Sequence, residues 1–269
     1  DVRNIISPVL ANDANTTLLH IDFSFCKPEL GGSAFFQSLN RVGKCAPTVN
    51  DPEYFRNAFN AVQKLIKEGI VLSGHDVSAG GLVTCLLEMC FANKEGGLDI
   101  SLDGFAENDT VKILFAENPS VVLQIADNNL KQAEAVLKES DVQYTNLGKP
   151  TAARKLNIVK DGSTTAFDID AMRNAWYETS YELDTKQSFN GCAAERRDNI
   201  MAQPRQIQFP EHFKGTLESY GISADRRTPS GIKAAIIREK GTNGEREMAY
   251  VLYLAGFDVK EVMMTDLVS

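Results

Sequence analysis

Apolar residues recur along this chain with two different periods, one of about two residues and one of about 3.6, and their alternation predicts a fold of mixed strands and helices. Thr16 to Phe23 is β-branched and apolar enough for a strand, with His20 as an ordinary member of it. Asp51-Pro52 opens a helix, because Asp caps a first turn and Pro is tolerated inside it. Phe55, Phe59, Val62 and Ile66 then share one face through Lys67, and Gly69 ends the helix. Ile70-Val71-Leu72 is a short strand. Leu82, Leu86, Met89 and Cys90 form the inward stripe of a second helix reaching Phe91, with Glu88 on its solvated outer face.

Downstream the pattern predicts strands over 98–102, 120–125, 143–148 and 156–159, and helices over 107–116 and 130–138. Asp161-Gly162 is a hairpin turn leading into 164–167. Asp170 caps a long amphipathic helix to Lys186, on which Met172, Trp176 and Leu183 share a side and Trp176 is a packing anchor. Residues 1–187 therefore read as an α+β domain, a layered mixed sheet with helices, entered through a polar connector at 1–15. Pro204, Pro210, Gly215, Gly221, Pro229 and Gly231 break up 188–231, which reads as a linker after a charged helix from Cys192 to Met201. Residues 232–269 begin a second fold: a strand over 233–238, a helix opened by a capping box of Thr242 and Glu245, and a strand over 258–264. A lone α/β (βαβ) unit cannot cover both faces of its sheet, so this domain is expected to be truncated.

Composition narrows the function classes. At 269 residues the chain can bury a sizeable core, and its 43% hydrophobic and 24% charged residues are those of an ordinary globular protein. A net charge of -8 without a basic tract argues against a nucleic-acid partner. No apolar run is long enough for a bilayer, so no membrane partner is expected. The five cysteines form no CxxC pair or zinc spacing, and a cytoplasmic, reducing setting is the default. The N-terminal Asp1-Val2-Arg3-Asn4 has neither an initiator Met nor a signal pattern, which fits an internal piece of a longer chain.

The chemistry concentrates in Gly74-His75-Asp76-Val77-Ser78-Ala79-Gly80-Gly81-Leu82, between an apolar strand and an apolar helix. A helix N-terminus leaves backbone N–H groups unpaired, Gly80 and Gly81 allow a ligand close to the backbone, and Asp76 is a hard oxygen ligand for Mg2+. Asp76 or Ser78 also fits a plain helix cap. Leu30-Gly31-Gly32-Ser33 is a second glycine turn before a short helix.

Read as a whole, the string from Gly74 to Met89 resembles phosphoribosylformylglycinamidine synthase, a large glutamine-dependent enzyme of purine biosynthesis. Arg238-Glu239-Lys240-Gly241-Thr242-Asn243-Gly244-Glu245-Arg246-Glu247-Met248 looks like the opening of that family's glutaminase domain, and Ala175 to Asp184 is similar to the helix that closes its synthetase part. The resemblance implies that 1–187 is a synthetase C-terminal lobe of the aminoimidazole ribonucleotide synthetase type and 232–269 the start of a class I glutamine amidotransferase domain. It implies an ATP-dependent ligase in which ATP activates the amide oxygen of formylglycinamide ribonucleotide and ammonia from glutamine displaces it. Asp76, Ser78, Gly80 and Gly81 would then bind nucleotide (ATP or ADP), with Asp76 also on Mg2+. Arg238, Gly241, Asn243, Gly244, Arg246 and Glu247 would support the glutaminase architecture. No catalytic residue is expected in this piece, whose partners would be the remaining domains of the parent enzyme. Two departures bear on this: Ala79 stands where the family often has Asp, and Asn118 follows Glu117 where a second acidic residue is common. Two alternatives weigh less: a free-standing nucleotide- or phosphate-binding regulatory module, against which the half-finished βαβ unit argues, and a small kinase of the aminoimidazole ribonucleotide synthetase type, whose glycine-rich, acidic ATP domain residues 1–50 do not provide.

Overall fold

A computed structural model describes residues 5–202, 208–209, 211 and 214–268. Asp1 to Asn4, the predicted breakers Pro204 and Pro210, and Ser269 lie outside the described residues. The chain divides into two compact units, Asp1–Gln203 and Pro204–Ser269.

The first unit is an α+β fold around a seven-stranded mixed sheet in the order β2-β4-β1-β5-β3-β6-β7. The strands are β1 (Thr16–Asp22), β2 (Val71–Val77), β3 (Gly97–Ser101), β4 (Ser120–Ala126), β5 (Tyr144–Thr151), β6 (Lys155–Lys160) and β7 (Ser163–Asp168). All neighbours pair antiparallel except β3 with β6. Successive side chains of a strand point to opposite faces, so β1 divides its residues between two cores: Leu18 on one face, Leu19 and Ile21 on the other. Helices α2 (Pro52–Lys67) and α5 (Leu130–Glu139) cover the Leu19 face; α3 (Gly81–Phe91) and α4 (Thr110–Phe115) cover the Leu18 face. Burying a leucine such as Leu18, Leu65 or Leu86 completely stabilises the fold by about 1.5–3 kcal/mol.

Local chemistry accounts for several element ends. Asp51 caps α2 by accepting from Glu53 N and Tyr54 N at 2.9 and 3.1 Å, ahead of Pro52. Tyr54 then fixes the helix to the sheet, donating its hydroxyl to Asp22 O and accepting from Gln143 N. The buried face of α2 is Tyr54, Ala58, Ala61, Val62 and Leu65. Phe59, expected inside, is exposed, because the stripe runs one position earlier than its large residues suggest.

Other expectations are corrected. Only Thr110–Phe115 of the predicted 107–116 helix forms, capped by Asp109. The long helix α6 (Ile169–Gln187) is capped by Asp168, which accepts from Ala171 N. Asp170 instead pairs with Arg154 and Arg173, each at 3.0 Å. The N-terminal connector is docked: Leu10 is buried, and Gln124 holds Ala11 through both its N–H and its carbonyl. Trp176 is half-exposed, yet its ring lies 5.6 Å from that of Phe91. Helix α7 (Cys192–Asn199) returns to α6 through Arg196 and Asp184.

In the second unit β8 (Lys233–Arg238) and β9 (Asp258–Met263) pair in parallel across α8 (Glu245–Leu254), followed by α9 (Met264–Val268). The expected capping box is not formed. Gly244, at φ 85°, is the residue before α8 and offers no side-chain cap, while Thr242 Oγ1 accepts from Glu239 N. Arg226, from the stretch read as linker, donates to Asp258 and Phe257 O and lies 4.6 Å over the Tyr253 ring. Asp258 also accepts from Ser230 N and Gly231 N.

This cluster gives a pH dependence. The Arg226 guanidinium and the two backbone donors hold the Asp258 carboxyl down at about 2, below its ordinary 3.8. A depressed carboxyl contributes stability that is fully present above about pH 4 and is lost as pH falls through about 2. Acid unfolding of the second unit, followed by tyrosine fluorescence between pH 5 and 1.5, should therefore steepen in that window. Arg226→Ala should shift the loss toward higher pH; an unchanged acid profile in that variant would contradict the assignment.

Candidate functional site

The predicted glycine turn is shorter than its sequence suggests. β2 runs through Gly74, His75 and Asp76 to Val77, so the turn is Ser78 to Gly80 and α3 starts at Gly81. Gly80 and Gly81 have φ 90° and 73°, in the left-handed region where glycine carries no Cβ penalty. A Cβ on Gly81 would lie 2.5 Å from Leu114 O, so glycine is also required by close packing of the α3 start on the end of α4.

The backbone donors of both glycines are already engaged. Gly81 N donates to Ser78 O at 3.0 Å, and Gly80 N donates to Glu117 Oε1 at 2.9 Å. The same Glu117 oxygen accepts from Ala34 N at 2.8 Å, in the first turn of α1 (Ala34–Ser38), which follows the second glycine turn. One carboxylate thus bridges both glycine turns and supplies the negative charge that a helix N-terminus attracts. The next residue, buried Asn118, donates its amide to Ser24 Oγ, Cys26 O and Lys27 O in the loop after β1. A carboxylate at 118 could accept but not donate, so asparagine suits the three oxygens it faces.

From the sequence alone Glu117 carries no role and Asn118 reads as a mere departure from a family pattern. A signal was present. Phe-Ala-Glu-Asn occurs twice, at 105–108 and 115–118, on either side of α4. In both copies the Glu accepts two backbone N–H groups, those of Asn108 and Asp109 in the case of Glu107.

Asp76 lies near the end of β2, Ser78 and Gly80 in the turn and Gly81 at the start of α3, and Asp76 and Ser78 are exposed. The side chain of Asp76 is 74% accessible and its register partner is Val121, on the α2 and α5 side of the sheet. Val77, one residue on, faces the α3 side. There a cavity of about 860 Å³ opens at the strand ends. Its floor follows the register across the sheet, Val77 beside Ser120 and Ser120 beside Asp22, with His20 and Thr145 in the next row. Phe105 and Glu107 form part of the wall. None of the four predicted nucleotide residues lines it.

His20 is held neutral: burial lowers its pKa to about 4, against a weaker opposite effect of Asp22. Its ring is 5.2 Å from that of Phe105. On the opposite side of α3, Glu88 is not a solvated outer residue. It accepts from Trp176 Nε1 at 2.7 Å and lies 3.3 Å from His75 Nε2, joining β2, α3 and α6. Cys85 and Cys90 are buried thiols, raised respectively well above the usual range and to about 12 by desolvation, and are therefore not nucleophiles.

In the second unit Arg238 leaves β8 to pair with Glu261 at 2.8 Å and Glu245 at 3.2 Å, tying β8, β9 and α8. Gly241 and Gly244 take positive φ in the loop before α8, and Asn243, Arg246 and Glu247 are exposed around its start. Among the described residues no three His, Cys, Asp or Glu side chains gather as a metal-binding group. Among them, too, no helix is long and apolar enough to cross a membrane.

Comparison with known proteins agrees with this architecture. The family described as AIR synthase related protein, C-terminal domain, matches residues 23–161, and the CobB/CobQ-like glutamine amidotransferase domain matches 231–269. The whole chain is 34% identical over 275 residues to phosphoribosylformylglycinamidine synthase of Homo sapiens and covers 20% of it. It is 32% identical over 272 residues to the probable phosphoribosylformylglycinamidine synthase, chloroplastic/mitochondrial, of Arabidopsis thaliana, covering 19% of that protein. The chain therefore spans about a fifth of the length of these curated relatives. Among solved structures, T. maritima PurL complexed with FGAR superposes with a TM-score of 0.52 at 16% identity, covering 64% of this chain and 30% of that one. T. maritima PurL complexed with ATP gives 0.51 at 12% identity, covering 64% and 27%. The sheet, the helix layers and the match over 23–161 converge: through this first unit the chain belongs to the family of AIR synthase related proteins, as their C-terminal domain.

Proposed function

We propose that this chain is part of a phosphoribosylformylglycinamidine synthase, the ligase that uses ATP and glutamine-derived ammonia to convert formylglycinamide ribonucleotide to the amidine. One observation carries the reading: a synthetase-type match at 23–161 and an amidotransferase match at 231–269 follow each other on a chain that aligns from end to end with relatives of that name. Residues 1–187 are the synthetase lobe in this reading, 188–231 the connection, and 232–269 the amidotransferase start. The remaining domains of the parent enzyme are its partners. The five cysteines are unpaired, which fits a reducing compartment such as the cytoplasm.

The supporting role of the lobe follows from its donors. Exposed Asp76 and Ser78 flank the start of α3 and are the groups we assign to nucleotide, with Gly80 and Gly81 shaping the turn. The residues present do not fit a Mg2+ ion held by this unit alone: among the described residues no three ligating side chains gather around Asp76, and Glu117 is committed to two backbone donors. Metal and nucleotide therefore require ligands from the other domains. In the amidotransferase part we assign Arg238, Gly241, Asn243, Gly244, Arg246 and Glu247 to holding the loop after β8 rather than to bond-making. None of the cysteines falls within 231–269, so the chain itself should not hydrolyse glutamine.

The test is an assay of the complete polypeptide that carries these residues. ADP release should require formylglycinamide ribonucleotide together with glutamine or ammonia. Asp76→Ala should raise the KM for ATP about tenfold, as expected for one lost charged contact. The present chain, in the same assay and in calorimetric titration with Mg2+ and ADP, should show neither turnover nor tight binding. ADP release independent of the ribonucleotide would overturn the assignment, and glutamate release by the chain alone would overturn the placement of the hydrolytic machinery outside it.

A further inference from the structure

The cavity on the α3 side of the sheet is lined by groups that no phosphate-binding role explains. His20 is half-buried and neutral, and among the described residues nothing hydrogen-bonds to its ring, although both ring nitrogens of an imidazole are polar. An imidazole that faces a cavity with neither nitrogen engaged by the protein is a group available to a ligand. Phe25, at the rim, has φ 49°, which is rare for a bulky side chain. The strain is maintained: Asp22 Oδ2 accepts its N–H at 2.8 Å and Asn50 donates to its carbonyl. This holds a half-exposed aromatic ring beside the opening, 4.9 Å from the ring of Tyr54.

Charge selects among ligands. The charged side chains along the lining are Asp22, Glu107 and Lys27. Glu107 accepts the backbone N–H groups of Asp109 and Asn108, which holds its carboxyl below the usual range. With His20 neutral, the cavity carries one net negative charge and would repel a phosphate ester. Its volume lies in the range of small-molecule sites, and its apolar rings, Phe25, Phe105 and Tyr144, suit a planar face.

We propose that this cavity binds an uncharged nucleoside, whose base contacts the aromatic rings and hydrogen-bonds to His20, and that it discriminates against the corresponding phosphate. None of Asp76, Ser78, Gly80 and Gly81 lines this cavity, and the inference does not depend on the ligase reading.

The experiment is calorimetry and saturation-transfer NMR on the full chain without metal, using the four common ribonucleosides and their 5′-monophosphates. At least one nucleoside should bind at sub-millimolar concentration, with its monophosphate about tenfold weaker or worse. His20→Phe keeps a ring of similar shape but removes both nitrogens, and should weaken binding about tenfold with an unchanged melting temperature. Phe25→Gly suits the left-handed backbone, so it should bind more weakly while melting at the same or a higher temperature. Absence of binding by all four nucleosides, a monophosphate binding more tightly than its nucleoside, or wild-type affinity in folded His20→Phe would each overturn the proposal.

Discussion

Gly81→Ala should destabilise the first unit by about 3 kcal/mol, the sum of left-handed backbone strain and a backbone clash that side-chain motion cannot relieve. The residue sits at φ 73°, and a Cβ there would fall 2.5 Å from Leu114 O and 2.7 Å from Phe115 Cα. Relief requires α3 to move away from α4, which opens the core around Leu82 and Leu114. Gly32→Ala separates the two contributions. It has nearly the same φ, 76°, but nothing within 4 Å of the added Cβ, so it should cost only about 1 kcal/mol. Urea unfolding of both variants measures the difference. If Gly81→Ala lost no more than Gly32→Ala, the close approach of the α3 start to the end of α4 would be wrong.

Glu117→Ala should cost about 2–4 kcal/mol, because two backbone N–H groups, at Gly80 and Ala34, lose their shared acceptor in a partly buried site. Glu117→Gln keeps a side-chain oxygen in reach of both donors and loses only the charge, so about 1 kcal/mol is expected. Amide hydrogen exchange adds a reading with residue resolution. In Glu117→Ala the Gly80 and Ala34 amides should exchange much faster than in wild type, while those of β4 stay protected. Equal stability of the Ala and Gln variants would show that charge, rather than hydrogen bonding, is what Glu117 contributes.

These two predictions mark where the sequence was informative and where it was not. Element types were legible because periodicity follows burial: β1, α2, α3, β4 and α5 all fall where their apolar patterns place them. Caps were less legible, since several nearby residues can do the same work. Asp51 was recognisable through Pro52, but Asp168 took the position expected of Asp170, and Gly244 that of Thr242. At the glycine turn the sequence showed which residues are adjacent, not what fills their hydrogen bonds. Glu117 is remote in sequence from both Ala34 and Gly80, and a donor–acceptor pairing across such a distance leaves no local pattern. The cavity was illegible for the same reason. Val77, Ser120, Asp22 and His20 are neighbours only through strand register, and the apolar alternation of each strand is all that can be read beforehand.

The position of β1 has a consequence for biosynthesis. It is the first strand of the unit to leave the ribosome, yet its two neighbours in the sheet are β4 and β5. Translation at about 5–20 residues per second leaves both of its hydrogen-bonding edges open for roughly ten seconds before those partners arrive. During that interval Leu18, Leu19 and Ile21, all completely buried in the finished sheet, are exposed on a strand with nothing beside it. Pairing of β1 on either edge therefore waits for about a hundred more residues of the unit to emerge, and the nascent Thr16–Asp22 segment is where a chaperone would hold the chain.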